Sequence, residues 1–163
     1  MRKSGREHDD IEIGIFRDDQ DRLYQYYKKW DLKKVVKYPN RYLTEPLGEN
    51  EYLQMPVPEI HGYSSDSDID EIEILLNEKE GNNWVYKRNQ RIKREINKVI
   101  LLSSFDIPIL CPEIVILYKS AHNREKDNRD FMNVLNKLSG NQREWLKNAL
   151  MISVPSHEWI SKI

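Results

Sequence analysis

A single cysteine, Cys111, is the only thiol of the chain, so no intramolecular disulfide can form and a reducing, cytoplasmic setting is expected. Charge of one sign is also missing. With 26 Lys+Arg against 27 Asp+Glu the net is −1, which argues against holding nucleic acid or an anionic membrane by bulk electrostatics. The most apolar stretches, 99–102 and 107–118, are broken by Ser103, Ser104, Asp106, Pro108, Pro112 and Glu113. They fall short of the ~20 predominantly apolar residues of a membrane span. The first twelve residues are charged and offer no apolar segment for a secretory signal. Neither a Gly-x-x-x-x-Gly-Lys phosphate loop nor a Gly-x-Ser-x-Gly elbow occurs. His61, His122 and His157 show no His-x-x-x-His spacing, so a zinc site is not expected either.

What is present fits one α+β domain over 1–163, a length that can bury about 70% of the unfolded chain's surface. The expected organisation is a polar leader over 1–8, a sheet-rich core over 9–110 and a helical part over 111–163. Alternation marks 10–16 as a strand, with Asp10, Glu12 and Gly14 on one side and Ile11, Ile13 and Ile15 on the other. Asp18 is placed to cap a helix whose stripe is Leu23, Tyr24, Tyr27 and Trp30. Residues 32–36 suggest a short strand. Pro39, Pro46, Pro56 and Pro58, with Gly48 and Gly62, make 38–62 read as extended segments and turns, with a strand at 51–55. Residues 69–76 and 84–88 read as a hairpin turning at Gly81.

Three helices are expected after that. The first opens on Pro112 with a core face of Ile114, Val115, Leu117, Tyr118 and Ala121. The second runs through Phe131, Val134, Leu135 and Leu138 to a stop at Gly140. The third starts in an Asn141–Glu144 capping box, carries Trp145, Leu146, Ala149 and Leu150, and ends before Pro155.

The neutral average hides a polarised middle. Residues 66–80 hold seven acids and one lysine, whereas 87–98 hold six bases and one acid. Asp10 and Glu12, at i and i+2 on a strand, point the same way, and Glu71 and Glu73 repeat the pattern opposite Ile72 and Ile74. Like charges this close favour a compensating cation. Mg²⁺ takes one or two carboxylates together with substrate phosphates and water. Taken alone, such alternation equally describes the solvent face of an antiparallel sheet in a plain α+β interaction domain.

The run Gly5-Arg6-Glu7-His8-Asp9-Asp10-Ile11-Glu12-Ile13 resembles the metal-binding strand of the polymerase-β-like nucleotidyltransferase superfamily. In detail it resembles the branch of aminoglycoside 2″-nucleotidyltransferases and small lincosamide nucleotidyltransferases. Other segments support the likeness in the same order: 73–78, then 84–88 with Arg91 and Ile92, then 112–119 followed by Lys126, Asp127, Asp130 and Phe131. The resemblance implies a mixed sheet of nucleotidyltransferase type with helices packed on it. It also implies transfer of a nucleoside monophosphate from Mg²⁺–ATP, or another nucleoside triphosphate, to a hydroxyl of a small molecule such as an aminoglycoside or lincosamide.

Carried over by residue, the implied Mg²⁺ ligands are Asp10, Glu12 and Glu73, and Glu73 also helps deprotonate the acceptor. Lys119 and Arg6 are the implied triphosphate contacts, and His8 the residue that orients the strand. Lys119 and Arg6 also fit the plainer role of covering apolar surface with their stems. Lys126, Asp127 and Asp130 fit helix capping, and Cys111 fits a buried structural cysteine.

The sequence departs from the family at its front. Members reach the acid strand through an earlier strand and a Gly-Gly turn, whereas here nine residues precede Asp10 and Gly5 alone cannot replace that element. Two expectations follow: a sheet edge left open for a second copy, giving a homodimer, and a phosphate-binding part that is missing. The alternative function is therefore a catalytically inactive, shortened relative acting as a nucleotide-binding or protein-interaction module. Glu12, where Asp is commoner, lengthens the ligand arm by about 1.5 Å.

Overall fold

Alternation of Ile13 and Ile15 with Glu12 and Gly14 produces the first strand, β1 (Glu12–Phe16). The computed structural model describes residues 11–122 and 124–163, so the Arg6, His8 and Asp10 expectations lie outside the described residues. The fold is mixed α+β. It packs as two compact units, Met1–Glu78 and Lys79–Ile163, so the boundary falls at 78/79 and the strands after it belong with the helices.

In the first unit β1 leads through a 3₁₀ turn, Arg17–Asp19, into α1 (Gln20–Tyr26). Then come β2 (Asp31–Tyr38), β3 (Arg41–Pro46), β4 (Glu59–Tyr63) and β5 (Glu71–Glu80). The order β3-β2-β4-β5 is antiparallel, and β1 lies parallel to β5 on its other edge. One face carries Ile60, Ile72, Ile74 and Leu76, buried together with Leu23 and Leu53, while Ile13, Ile15 and Leu32 pack against them. Each such side chain contributes about 1.5–3 kcal/mol by leaving water. The other face carries the polar alternates.

Two elements of the first unit differ from expectation, each for a visible reason. The helix ends before Trp30, because the backbone leaves the helical region at Tyr27 (φ −100°, ψ 32°) and a turn follows in which Trp30 N donates to Tyr27 O at 3.0 Å. The indole then lies over Gly62, where an added Cβ would come within 3.2 Å of Trp30 and 3.1 Å of Ile72. The expected strand at 51–55 is irregular. Leu53 spends its backbone groups on side chains, donating to Gln20 Oε1 at 3.0 Å and accepting from Gln20 Nε2 at 3.1 Å and Arg17 Nη1 at 3.2 Å. Strands β3 and β4 occupy the proline-rich stretch instead. Pro46 is tolerated because it closes β3, which lies at the end of the strand order.

The second unit begins with the last residues of β5, and the expected turn forms at Gly81, whose φ of +57° suits glycine. It leads into β6 (Asn83–Val85), paired antiparallel with β7 (Lys93–Glu95). A 3₁₀ turn, Ile96–Lys98, precedes the hairpin of β8 (Ile100–Leu102) and β9 (Pro108–Leu110). The helices are α2 (Pro112–Lys119), α3 (Glu125–Leu135) and α4 (Gly140–Ser153), followed by a 3₁₀ turn, Glu158–Ser161. Pro112 opens α2 as expected, but Ile116 rather than Ala121 completes its buried face.

Gly140 is the first residue of α4, not the stop of α3. The capping box is Ser139 with Gln142, two residues ahead of the expected Asn141–Glu144. Ser139 Oγ accepts from Gln142 N, and Gln142 Oε1 accepts from Ser139 N at 3.0 Å. Ser139→Ala is expected to lower stability by ~1 kcal/mol in urea unfolding. An unchanged midpoint would assign the cap no energetic weight.

Beyond α4, Trp159 stacks on Phe131 at 4.4 Å and donates from Nε1 to Asn128 Oδ1 at 2.6 Å. His157 Nδ1 accepts from Trp159 N at 3.2 Å, a bond that requires an unprotonated Nδ1. Burial pushes the His157 pKa down, outweighing the raising effect of Glu158. The unfolded chain therefore takes up this proton first, so the neutral ring stabilises fully above about pH 6.5 and that stability is lost on acidification. Between about pH 7 and pH 5, urea midpoints are expected to fall more steeply for the wild type than for His157→Asn, which keeps a capping oxygen. Equal slopes would contradict this.

Candidate functional site

The polar face of the first unit's sheet gathers a row of charged side chains by register alone. Glu12 stands beside Glu73 across the parallel β1–β5 pair. Glu73 faces His61 across β5–β4, and His61 faces Lys33 across β4–β2. Neighbouring strands lie about 4.8 Å apart, so the row brings two carboxylates, an imidazole and an ammonium together on one surface. A second row sets Asp31, Tyr63 and Glu71 side by side.

The register of Glu12 against Glu73 is held from below. Arg17, 5% exposed, follows β1 directly, and its Nε donates to Glu78 Oε1 at 2.6 Å. Asn77 Nδ2 donates to Leu75 O at 3.0 Å and to Ile15 O at 3.4 Å, tying β5 to β1. A slip of one residue would break these bonds and turn Glu12 toward the isoleucines.

His61 is the hub of the row. Its Nε2 lies 3.4 Å from Glu59 Oε1 and 4.0 Å from Glu73 Oε1, and its Nδ1 lies 3.3 Å from the Tyr63 hydroxyl and 3.9 Å from Glu71 Oε1. Lys33 Nζ sits 5.0 Å over the Tyr63 ring and 3.3 Å from Asp31 Oδ2. The Tyr63 hydroxyl pKa is raised, first by burial and then by Glu71. Among the described residues no group of three or more His, Cys, Asp or Glu side chains is arranged to hold a metal ion. The donors of Glu12 and Glu73 are hard carboxylate oxygens, the class that Mg²⁺ takes one or two at a time while phosphates complete its shell.

The sequence brings Glu12 and Glu73 together as expected of neighbouring strands. Lys119 lies in the second unit at the end of α2, ion-paired with Asp130 of α3. Beside it Asp127 is fully buried. Burial raises its carboxyl, but Arg124, 2.7 Å away, and the Lys119 charge bring the pKa down overall. Cys111 is buried, with Sγ 3.3 Å from Lys98 O, and burial pushes its thiol up, so it is an inert core residue.

His61, Glu59 and Tyr63 were not legible as site residues. Their signal is the alternation Glu59-Ile60-His61-Gly62-Tyr63, hidden by Pro56 and Pro58 just before it and by a glycine at a core position. An open groove of about 710 Å³ lies elsewhere in this unit, lined by Tyr24, Tyr27, Trp30, Leu32 and Leu47 among others. None of Glu12, His61 or Glu73 borders it. Set against known proteins, the chain matches no family model, no curated protein and no solved structure.

Proposed function

We propose that this chain is a cytoplasmic nucleotidyltransferase that moves a nucleoside monophosphate from ATP or another nucleoside triphosphate to a hydroxyl of a small molecule, with an aminoglycoside or lincosamide as the acceptor class. The observation that carries this reading is the pairing of Glu12 with Glu73 on adjacent parallel strands, on the face opposite the core. Two carboxylates side by side repel one another, and a divalent cation carrying a triphosphate relieves that repulsion.

In this reading Glu12 and Glu73 are the residues that would hold Mg²⁺, and the ion would offset the charge on the transferring phosphoryl group. Glu73 accepts the proton of the acceptor hydroxyl as its oxygen bonds to the α-phosphorus. The bond from the α-phosphorus to the bridging oxygen breaks, and pyrophosphate leaves with the electron pair. His61 steadies Glu73 from the neighbouring strand and brings a second proton-carrying group within 4.0 Å of it.

The test is transfer of label from α-labelled ATP to a panel of aminoglycosides and lincosamides with Mg²⁺ present. Labelled product that requires Mg²⁺ and Glu73 supports the reading. Binding of nucleotide without transfer to any hydroxyl favours a nucleotide-binding module over an enzyme.

A further inference from the structure

The open groove of the first unit lies on the core side of the sheet, away from the charged row. Tyr27, Trp30, Leu32 and Leu47 line it and also pack against the buried core. Leu32 directly precedes Lys33 of the row, and successive residues of a strand point to opposite faces. The groove's volume of about 710 Å³ falls within the ~300–1,000 Å³ of small-molecule sites.

Aromatic rings and carboxylates share its lining. Tyr27 and Trp30, both half-buried, meet edge to face with ring centroids 5.2 Å apart and planes at 80°. Trp30 is held against the sheet by its seat over Gly62. The loop after β3 is held as well: Leu47 N donates to Leu32 O at 3.0 Å, Gly48 N to Glu51 Oε2 at 2.9 Å and Glu51 N to Gly48 O at 3.0 Å. Three carboxylates, Asp21, Asp31 and Glu49, line the groove against one ammonium, Lys28. Asp31 is paired with Lys33 at 3.3 Å, whereas Asp21 and Glu49 are exposed and, among the described residues, in no ion pair. The negative field reaches Tyr24, whose hydroxyl donates to Glu51 O. Its pKa is pushed up to about 12, first by burial and then by Glu51 and Asp21.

We propose that this groove binds a linear polyamine, its alkyl chain lying on Leu32, Leu47 and the two rings and its ammonium groups paired with Asp21 and Glu49. Each part of the lining meets a part of such a ligand. Ring faces attract cations, the apolar side chains cover methylenes, and the excess of carboxylates selects positive charge. A bare metal ion would use the carboxylates alone, and an uncharged chain the apolar wall alone. A chain that carries several ammonium groups uses both.

Titration of the full chain with spermidine at low ionic strength, followed by calorimetry and by the Trp30 indole N–H resonance, is the test. Saturable binding that shifts this resonance is expected, with an uncharged alkanediol of similar length binding roughly tenfold more weakly or less. Asp21→Asn and Glu49→Gln, both at exposed positions, are each expected to raise the dissociation constant about fivefold. Tyr27→Leu is expected to raise it about threefold through the lost ring. Glu12→Gln and Glu73→Gln leave it unchanged, so the proposal stands or falls apart from the nucleotide reading. Absence of binding at millimolar spermidine overturns the proposal, as does equal binding of the alkanediol. So does an affinity that Asp21→Asn with Glu49→Gln leaves intact, or one that is lost in Glu12→Gln or Glu73→Gln.

Discussion

Glu113→Ala is expected to destabilise the second unit by about 3–5 kcal/mol, because it strands a positive charge in the interior. Glu113, the second residue of α2, has its side chain fully buried, and Arg94 Nη2 of β7 lies 2.6 Å from its Oε1. That contact is one of charge rather than of direction, since Oε1 takes no aligned hydrogen bond among the described residues. Its other oxygen accepts from Gln142 Nε2 of α4 at 2.8 Å, and the Arg94 guanidinium lies 4.5 Å from the Trp145 ring centre. One carboxylate therefore joins β7, α2 and α4.

Removing it leaves Arg94, a side chain only 11% exposed, against an aromatic face, with Nε and Nη1 buried and without hydrogen-bond partners among the described residues. Replacing both members, as in Arg94→Met with Glu113→Leu, is expected to restore most of the loss, because the desolvation cost disappears with the pair. Urea unfolding read by tryptophan fluorescence checks both. The Cys111 thiol, buried two residues away, should become reactive toward a thiol reagent in the single variant. A single variant within about 1 kcal/mol of wild type would show that the pair carries little stability.

The second large effect is chemical. Glu73→Gln keeps the shape of the side chain but removes the charge and, in the proposed reaction, the proton acceptor. Label transfer is expected to fall by about 10²–10⁴-fold, the range typical of losing a general base. Glu12→Gln is expected to act chiefly on nucleotide affinity, because in the proposed reaction it removes one cation ligand without touching the proton path. His61→Gln, which keeps a hydrogen-bonding side chain on β4, should change the pH profile of transfer more than its maximum. Circular dichroism establishes that each variant is folded. Equal transfer in wild type and Glu73→Gln would remove Glu73 from the reaction.

How far the sequence carried these conclusions varied with how local the cause was. Strand β1 and the Glu71/Glu73 alternation were legible because period-two patterning is a property of a few neighbouring residues. Pro112 opening α2 and Gly81 at its turn were legible because each residue type answers a backbone requirement on its own. The site row was only half legible. Glu12 and Glu73 could be singled out, but their pairing with His61 depends on β4 lying beside β5, which no pattern within 59–63 announces.

Other misses have the same origin. Leu53 looks like part of a strand until Gln20 and Arg17, more than thirty residues away, take its backbone hydrogen bonds. The α4 cap slipped by two positions because Ser139 and Asn141 are both good caps, and only the reciprocal Gln142 bond selects between them. The apolar stretches at 99–102 and 107–118 could be read only as too broken for a membrane span; that a hairpin holds Ile100–Leu102 and Ile107–Leu110 in water was not legible, because exposure is a tertiary property.

Glu12 and Glu73 are proposed to form one cation-dependent nucleotide site. Isothermal titration of the full chain with a non-hydrolysable ATP analogue, with and without Mg²⁺, tests it most directly. Binding is expected with Mg²⁺, absent without it, and lost in both Glu12→Gln and Glu73→Gln. No detectable binding at millimolar analogue with Mg²⁺, or binding that both substitutions leave intact, would contradict the claim.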